Sequence, residues 1–200
     1  MANHVYFNVE IDANKEAIEQ LEKVMVQEKI SYASGYEGLE LIEIDKLPFM
    51  QLGQEYESDG YLKDSYDWYC ENVGAKWCNV EEVGETYFTG YSAWSPPVYL
   101  VENLTKYLTQ YDSEISVRMT YEDEFRNFIG TCHFYFDEEV HYDICEADNS
   151  DLIDELREVF GDAVDESDFD WYDLQKDLKG VEREPQEVFD DIVYAWFERN

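Results

Sequence analysis

Basic residues are scarce in this sequence. Lys and Arg together number 14 among 200 residues, against 48 Asp and Glu, for a formal net charge of −34. Affinity for DNA or RNA rests on cations that displace counterions from phosphates, so so acidic a chain is not expected to hold nucleic acid directly. What its field attracts is a basic protein surface or a cation. No run approaches the roughly 18 apolar residues of a membrane span, so no membrane partner is expected. The opening MANHVYFNVEI lacks the basic start and apolar stretch of a signal peptide, and a cytoplasmic location is expected. The four cysteines, Cys70, Cys78, Cys132 and Cys145, form no CxxC pair, which points to reduced thiols rather than a disulfide framework.

Motifs for metals, cofactors and catalysis are also missing. The histidines are His4, His133 and His141. Cys132 and His133 are neighbours on an expected strand, where adjacent side chains point to opposite faces, so they cannot share a zinc ion. There is no GxGxxG or P-loop spacing, and the acidic stretches 148–154 and 165–173 lack the glycine and terminal glutamate of an EF-hand loop. Paired carboxylates are unavoidable among 48 acids and nominate no general acid or base. No metal, cofactor or catalytic residue is assigned, and the chain is not expected to be an enzyme.

What is abundant is aromatic side chains: 17 Tyr, 11 Phe and 5 Trp. Disordered acidic chains lack that supply, so a packed core is expected. From His4 to Ile11, Val5, Phe7, Val9 and Ile11 alternate with polar residues as in a half-buried strand. Asp12 or Asn14 can then cap a helix reaching about Lys29, with Ile18, Leu21 and Met25 on one stripe. Residues 30–60 are punctuated by glycine and proline, with a short strand or turn near Leu39–Ile44. A helix from Asp64 ends near Gly74, and strands follow at Lys76–Val80 and Glu85–Trp94. Ser95-Pro96-Pro97 reads as a cap with proline at the first helical position, opening a helix to about Tyr111. Strands at Glu114–Tyr121, Phe125–Asp137 and Glu139–Cys145 read as an antiparallel meander.

This order contains a split βαβ pattern, so the expected fold class is α+β: a ferredoxin-like antiparallel sheet with helices on one face. Residues 1–146 would form that domain, with an insert near 30–62. Residues 147–200 would be an acidic helical C-terminal extension packed on it. Residues 137–200 hold 23 acidic and 5 basic side chains. Yet Leu152, Ile153, Leu156, Val159 and Phe160 form a stripe, and so do Val188, Ile192, Ala195 and Trp196 after Pro185. These stripes are too apolar for a free tail. A further helix is expected over Ser167–Lys179.

The segment DWYCENVGAKWCN, with Trp68, Asn72, Gly74, Lys76 and Trp77, resembles the tryptophan-rich motif of the YubB-type ferredoxin-like domain family of plasmids and phages. Val73 stands where that family usually has an aromatic. YSAWSPP (Trp94, Ser95, Pro96, Pro97) and YEDEFRNFIG match in the same order, so the resemblance covers about residues 60–136. It implies the fold and a mobile-element setting, with no catalytic residues to transfer. These motif residues have ready structural roles: Gly74 as a cap, the prolines as a helix start, Trp77 and Trp94 as a core pair on adjacent strands. They also have a functional alternative, a small-molecule-binding or enzymatic groove in the Trp68–Trp94 region with Asn72 and Lys76 as convergent polar groups.

The leading functional expectation is an accessory protein that acts by protein binding. Asp165, Glu166, Asp168, Asp170, Asp173 and Asp177 place six acids in 13 residues. In a helix these would span roughly 20 Å, a length in which one DNA strand carries about six charges. Such an array would suit a DNA-mimic antagonist of a nucleic-acid-binding protein. The purified chain itself should produce no shift of duplex DNA in a native gel at physiological salt; a stable shifted band would refute the reading of its charge.

Overall fold

The computed structural model describes residues 3–25, 29–33, 41–45, 65–125, 127–160 and 185–200. A six-stranded antiparallel sheet organises them, with helices against it, giving an α+β architecture. The chain runs β1 (His4–Asp12), α1 (Lys15–Val24), β2 (Lys29–Ala33), β3 (Leu41–Asp45), α2 (Ser65–Asn72), β4 (Cys78–Val83) and β5 (Tyr87–Ala93). It continues through α3 (Val98–Leu108), β6 (Ser116–Asp123), β7 (Phe128–Asp137), β8 (Glu139–Asp148), α4 (Asn149–Phe160) and α5 (Pro185–Arg199). The strand order is β4-β5-β1-β6-β7-β8, while β2 and β3 pair with each other in a separate two-stranded sheet.

β1 takes its place because its sequence alternates. Val5, Phe7, Val9 and Ile11 are buried, and the antiparallel neighbours β5 and β6 bring Phe88 opposite Val9 and Tyr121 opposite Phe7. α1 and α3 cover this face with Leu21, Leu100, Leu104 and Leu108, and Trp68 and Tyr69 of α2 pack at its edge. Burying each such Leu or Phe contributes about 1.5–3 kcal/mol, and this cluster is the main core. Asn14 caps α1 by accepting from the Ala17 N–H at 3.0 Å, as its side chain type predicts. α1 ends at Val24, short of Lys29, because Lys29 begins β2.

The helices of the sheet domain were expected on one face, with further C-terminal helices packed on it; in the structure the sheet carries helices on both faces. α4 and α5 pack on the second face over β7 and β8, where Leu152, Ile192, Val193 and Trp196 enclose Ile129 and Ala147. These outward positions of β7 and β8 are apolar, so they need cover of their own. The helix expected over Ser167–Lys179 lies outside the described residues.

Two glycines are fitted to close contacts inside the sheet. At Gly90 an added Cβ would lie 2.1 Å from the Asn79 carbonyl oxygen and 2.8 Å from Phe7 Cζ. At Gly130 it would meet the Tyr121 ring at 2.3 Å. Tyr121 uses that space to donate its hydroxyl to Glu146 Oε1 at 2.6 Å. The turn after β6 is held by buried Asp123, whose Oδ2 accepts from the Phe125 and Asn127 N–H groups at 3.1 and 3.3 Å and from Asn127 Nδ2. The Gly90→Ala variant should lose about 1–3 kcal/mol through overpacking against backbone that cannot yield. Urea unfolding followed by circular dichroism would measure this, and an unchanged midpoint would contradict the close approach.

Candidate functional site

Among the described residues, the second face of the sheet is only half covered. Over β4, β5, β1 and β6 it presents the residues that alternate with the core: His4, Tyr6, Asn8, Glu10 and Asp12 from β1, and Tyr87, Thr89 and Tyr91 from β5. β6 adds Arg118, Thr120 and Glu122 in register with Glu10, Asn8 and Tyr6. At the end near His4 the aromatics form one cluster. The His4 ring lies 5.4 Å from Trp77 and 5.2 Å from Tyr91, Trp77 lies 5.8 Å from Tyr91, and Tyr6 lies 6.4 Å from Tyr91. The geometries are edge-on or tilted, as ring quadrupoles favour. Tyr6 stays 43% exposed, so its ring is open to a ligand.

α5 forms a wall beside this platform. Tyr6, Thr120 and Glu122 on the sheet and Asp190, Tyr194 and Phe197 on α5 line a cleft of about 400 Å³. A second, of about 620 Å³, adjoins it through Asn8 and continues past Glu10, Asp12, Tyr87, Ser116 and Arg118. α5 is fixed in place by polar contacts at its end. Arg118 Nη2 donates to the Phe197 carbonyl oxygen, and His133 Nε2 lies 2.8 Å from the Asn200 backbone oxygen, so that nitrogen carries the proton. Cationic or donor groups at a helix C-terminus satisfy its last carbonyls. Arg199 Nη2 donates to Glu155 Oε1 at 2.8 Å, tying α5 to α4.

The tryptophan-motif residues mostly serve the local structure. Asn72 Nδ2 donates to the Trp68 carbonyl at 2.9 Å, and the Asn72 carbonyl accepts from Asn103 Nδ2 at 3.1 Å. Gly74 has φ +85°, and a Cβ added there would lie 3.3 Å from Tyr99, a helix-ending position that favours glycine. Lys76 Nζ sits 6.0 Å from the Tyr66 ring centroid, a cation–π contact. Pro96 accepts from the Val98 N–H at 2.9 Å. Asn72 and Lys76 line neither cleft described above.

Two expectations are corrected here. Trp77 and Trp94 form no core pair: Trp94 has φ +73° and is 55% exposed, because this left-handed residue ends the alternation of β5. Trp77 faces the open side instead. Ser95 does not cap α3, whose first residue is Val98 after Pro97; its hydroxyl donates across to the Gly74 carbonyl at 2.8 Å. The six tail acids Asp165, Glu166, Asp168, Asp170, Asp173 and Asp177 lie outside the described residues.

The chain matches no family model, no curated protein and no solved structure. Its reading therefore rests on its own geometry. Among the described residues no helix is long and apolar enough to cross a membrane, and no cluster of three or more His, Cys, Asp or Glu could hold a metal ion.

The thiols divide by burial. Cys145 is exposed, while Cys78 and Cys132 are buried. Burial pushes the Cys132 thiol up to about 12, helped by the carboxylates of Asp143, Glu102 and Glu146, and burial alone raises Cys78. Both are protonated at neutral pH and are not nucleophiles there. In the unfolded chain these thiols ionise near their ordinary value of 9.0, so above it the unfolded state loses the proton first. Stability should therefore fall as pH rises from 9.0 toward about 12. Urea midpoints at about pH 7.5 and about pH 10 would measure the fall, and Cys132→Ala should make it shallower. An equal fall in the variant would remove Cys132 as a cause.

Proposed function

We propose that this protein is an acidic accessory protein of a phage or other mobile element that acts by protein binding, receiving a basic surface on the open face of its sheet. The observation that carries the reading is the platform of His4, Tyr6, Trp77 and Tyr91, continuous with clefts edged by Glu10, Asp12, Glu122 and Asp190. An aromatic surface left open on a chain of net charge −34 is matched to cationic side chains that stack as well as pair. Basic surfaces of this kind belong above all to nucleic-acid-binding proteins, and antagonism of one of them by a DNA-mimic is the fitting role. The tail acids Asp165, Glu166, Asp168, Asp170, Asp173 and Asp177 enter this role through their spacing in the sequence alone.

The strand order β4-β5-β1-β6, with α1 and α3 on one face, supports a ferredoxin-like unit to which β7, β8 and the C-terminal helices are added. The mobile-element setting is drawn from the tryptophan motif, YSAWSPP and YEDEFRNFIG. A small-molecule or catalytic role for the Trp68–Trp94 region is less well supported, since Asn72 and Lys76 are engaged with Trp68 and Tyr66.

The test is a pull-down from nuclease-treated lysate at low and physiological salt, with the wild type beside a Tyr6→Ala, Tyr91→Ala double variant. Basic nucleic-acid-binding proteins should dominate what the wild type retains at physiological salt. The variant should retain about tenfold less, the loss of one or two stacking contacts. Equal retention by both, or retention of nothing above background, would sink the proposal.

A further inference from the structure

The same face supports a more specific statement, which rests on the protein-binding reading above. The two clefts share Asn8 and lie one after the other along β1, and they are treated together as a trough. From Tyr6 to Asp12 a strand advances about 20 Å, the length of about six residues of extended chain. One end of the trough is aromatic, with Tyr6, Tyr194 and Phe197 around Glu122 and Asp190. The other end is acidic and polar, with Glu10, Asp12, Ser116 and Tyr87. The basic residue lining it, Arg118, donates to the Phe197 carbonyl and so is already bonded to α5.

We infer that the trough seats an extended, arginine-bearing segment of the partner protein, with one guanidinium in the cleft between β1, β6 and α5. The choice of arginine follows from the lining. A guanidinium is planar and weakly hydrated, stacks on aromatic rings and pairs with carboxylates through two parallel donors. Lysine ammonium is a compact, strongly hydrated charge and gains less from Tyr6, Tyr194 and Phe197. Tyr194 is 67% exposed, so its ring can lie over the entering group. The segment lies across the face and does not extend the sheet, because β1 is already paired on both sides, with β5 and with β6. Asn8, Thr120 and Ser116 supply hydrogen-bonding side chains for its backbone. Along the trough Glu10, Asp12, Glu122 and Asp190 oppose phosphate, which turns this stacking surface away from a single-stranded nucleic acid.

The experiment is fluorescence anisotropy with labelled extended peptides of about six residues, one arginine-rich and one lysine-rich, and a single-stranded oligonucleotide of similar length. Amide chemical-shift mapping of the full chain accompanies it. The arginine peptide should bind at least about fivefold more tightly than the lysine peptide, and the oligonucleotide not at all. Tyr6→Ala and Tyr194→Ala should each weaken the arginine peptide about tenfold. Glu122→Gln should weaken it about fivefold, while Glu71→Gln on the opposite face should change it less than twofold. Circular dichroism of each variant establishes that the fold is kept, and shifted amides should centre on β1, β6 and α5.

Binding of the oligonucleotide would overturn the inference. So would equal affinity for the two peptides with no effect of Tyr6→Ala or Tyr194→Ala, or shifts confined to 161–184. In those last two cases a basic partner is still bound, so action by protein binding stands while its placement on the open face of the sheet falls. If neither peptide binds and no basic protein is retained, both fall together.

Discussion

Everything on this molecule depends on the pairing of β1 with strands on both of its sides. β1 has no free edge, so its nine residues are held flat between β5 and β6 and their alternation becomes a division between two surfaces. Val5, Phe7, Val9 and Ile11 build the core on one side. His4, Tyr6, Asn8, Glu10 and Asp12 are obliged to line up on the other. A one-residue slip would bury Glu10 and expose Phe7, so the packing of the core also sets the order of groups along the trough.

The second half of the arrangement comes from where the last helices land. α5 packs through Ile192, Val193 and Trp196 on β7 and reaches the edge of β6 through Arg118, and among the described residues no helix lies over β4, β5 and β1 on this face. A sheet covered on one face and half of the other acquires a step, and the step is the cleft. Position matters more than composition here. The same Tyr194 and Asp190 one helical turn away would be surface side chains with nothing opposite them. The contacts of Arg118 and His133 with the Phe197 and Asn200 backbone oxygens hold the end of α5 against β6 and β7.

Much of this was legible from residue order. The alternation of β1, the capping side chain of Asn14, the helix stop at Gly74 and the β6–β7–β8 meander all follow local rules, and local rules are what a sequence displays directly. Trp94 escapes burial because one positive φ reverses a side chain that alternation would place inside. Ser95 does not cap its helix because a hydroxyl can reach across to Gly74 as easily as to its own helix. The candidate site was hidden for a different reason. Tyr6, Tyr91, Glu122 and Tyr194 stand on four elements, and only the tertiary fold makes them neighbours. The signal for half of it was present: Tyr and His at the outward positions of β1 and β5, where an ordinary solvated sheet carries short polar or charged side chains.

The charge and the aromatics act over different ranges, and on the proposed reading that difference would give the surface its selectivity. At physiological salt a field decays within about 8 Å, so the −34 charge gathers cationic groups and repels anions without distinguishing one cation from another. Stacking on Tyr6 or Tyr194 acts only at contact and is indifferent to the overall charge. A ligand satisfying one requirement alone is discriminated against: an apolar peptide gains nothing on approach, and a nucleotide base is repelled by its phosphate before it reaches the rings. A guanidinium satisfies both, because its charge is delocalised over a plane that an aromatic ring can cover. Selection by two independent interactions multiplies their ratios, so modest terms of about 1 kcal/mol each suffice to prefer one cationic side chain on a surface that would otherwise attract them all.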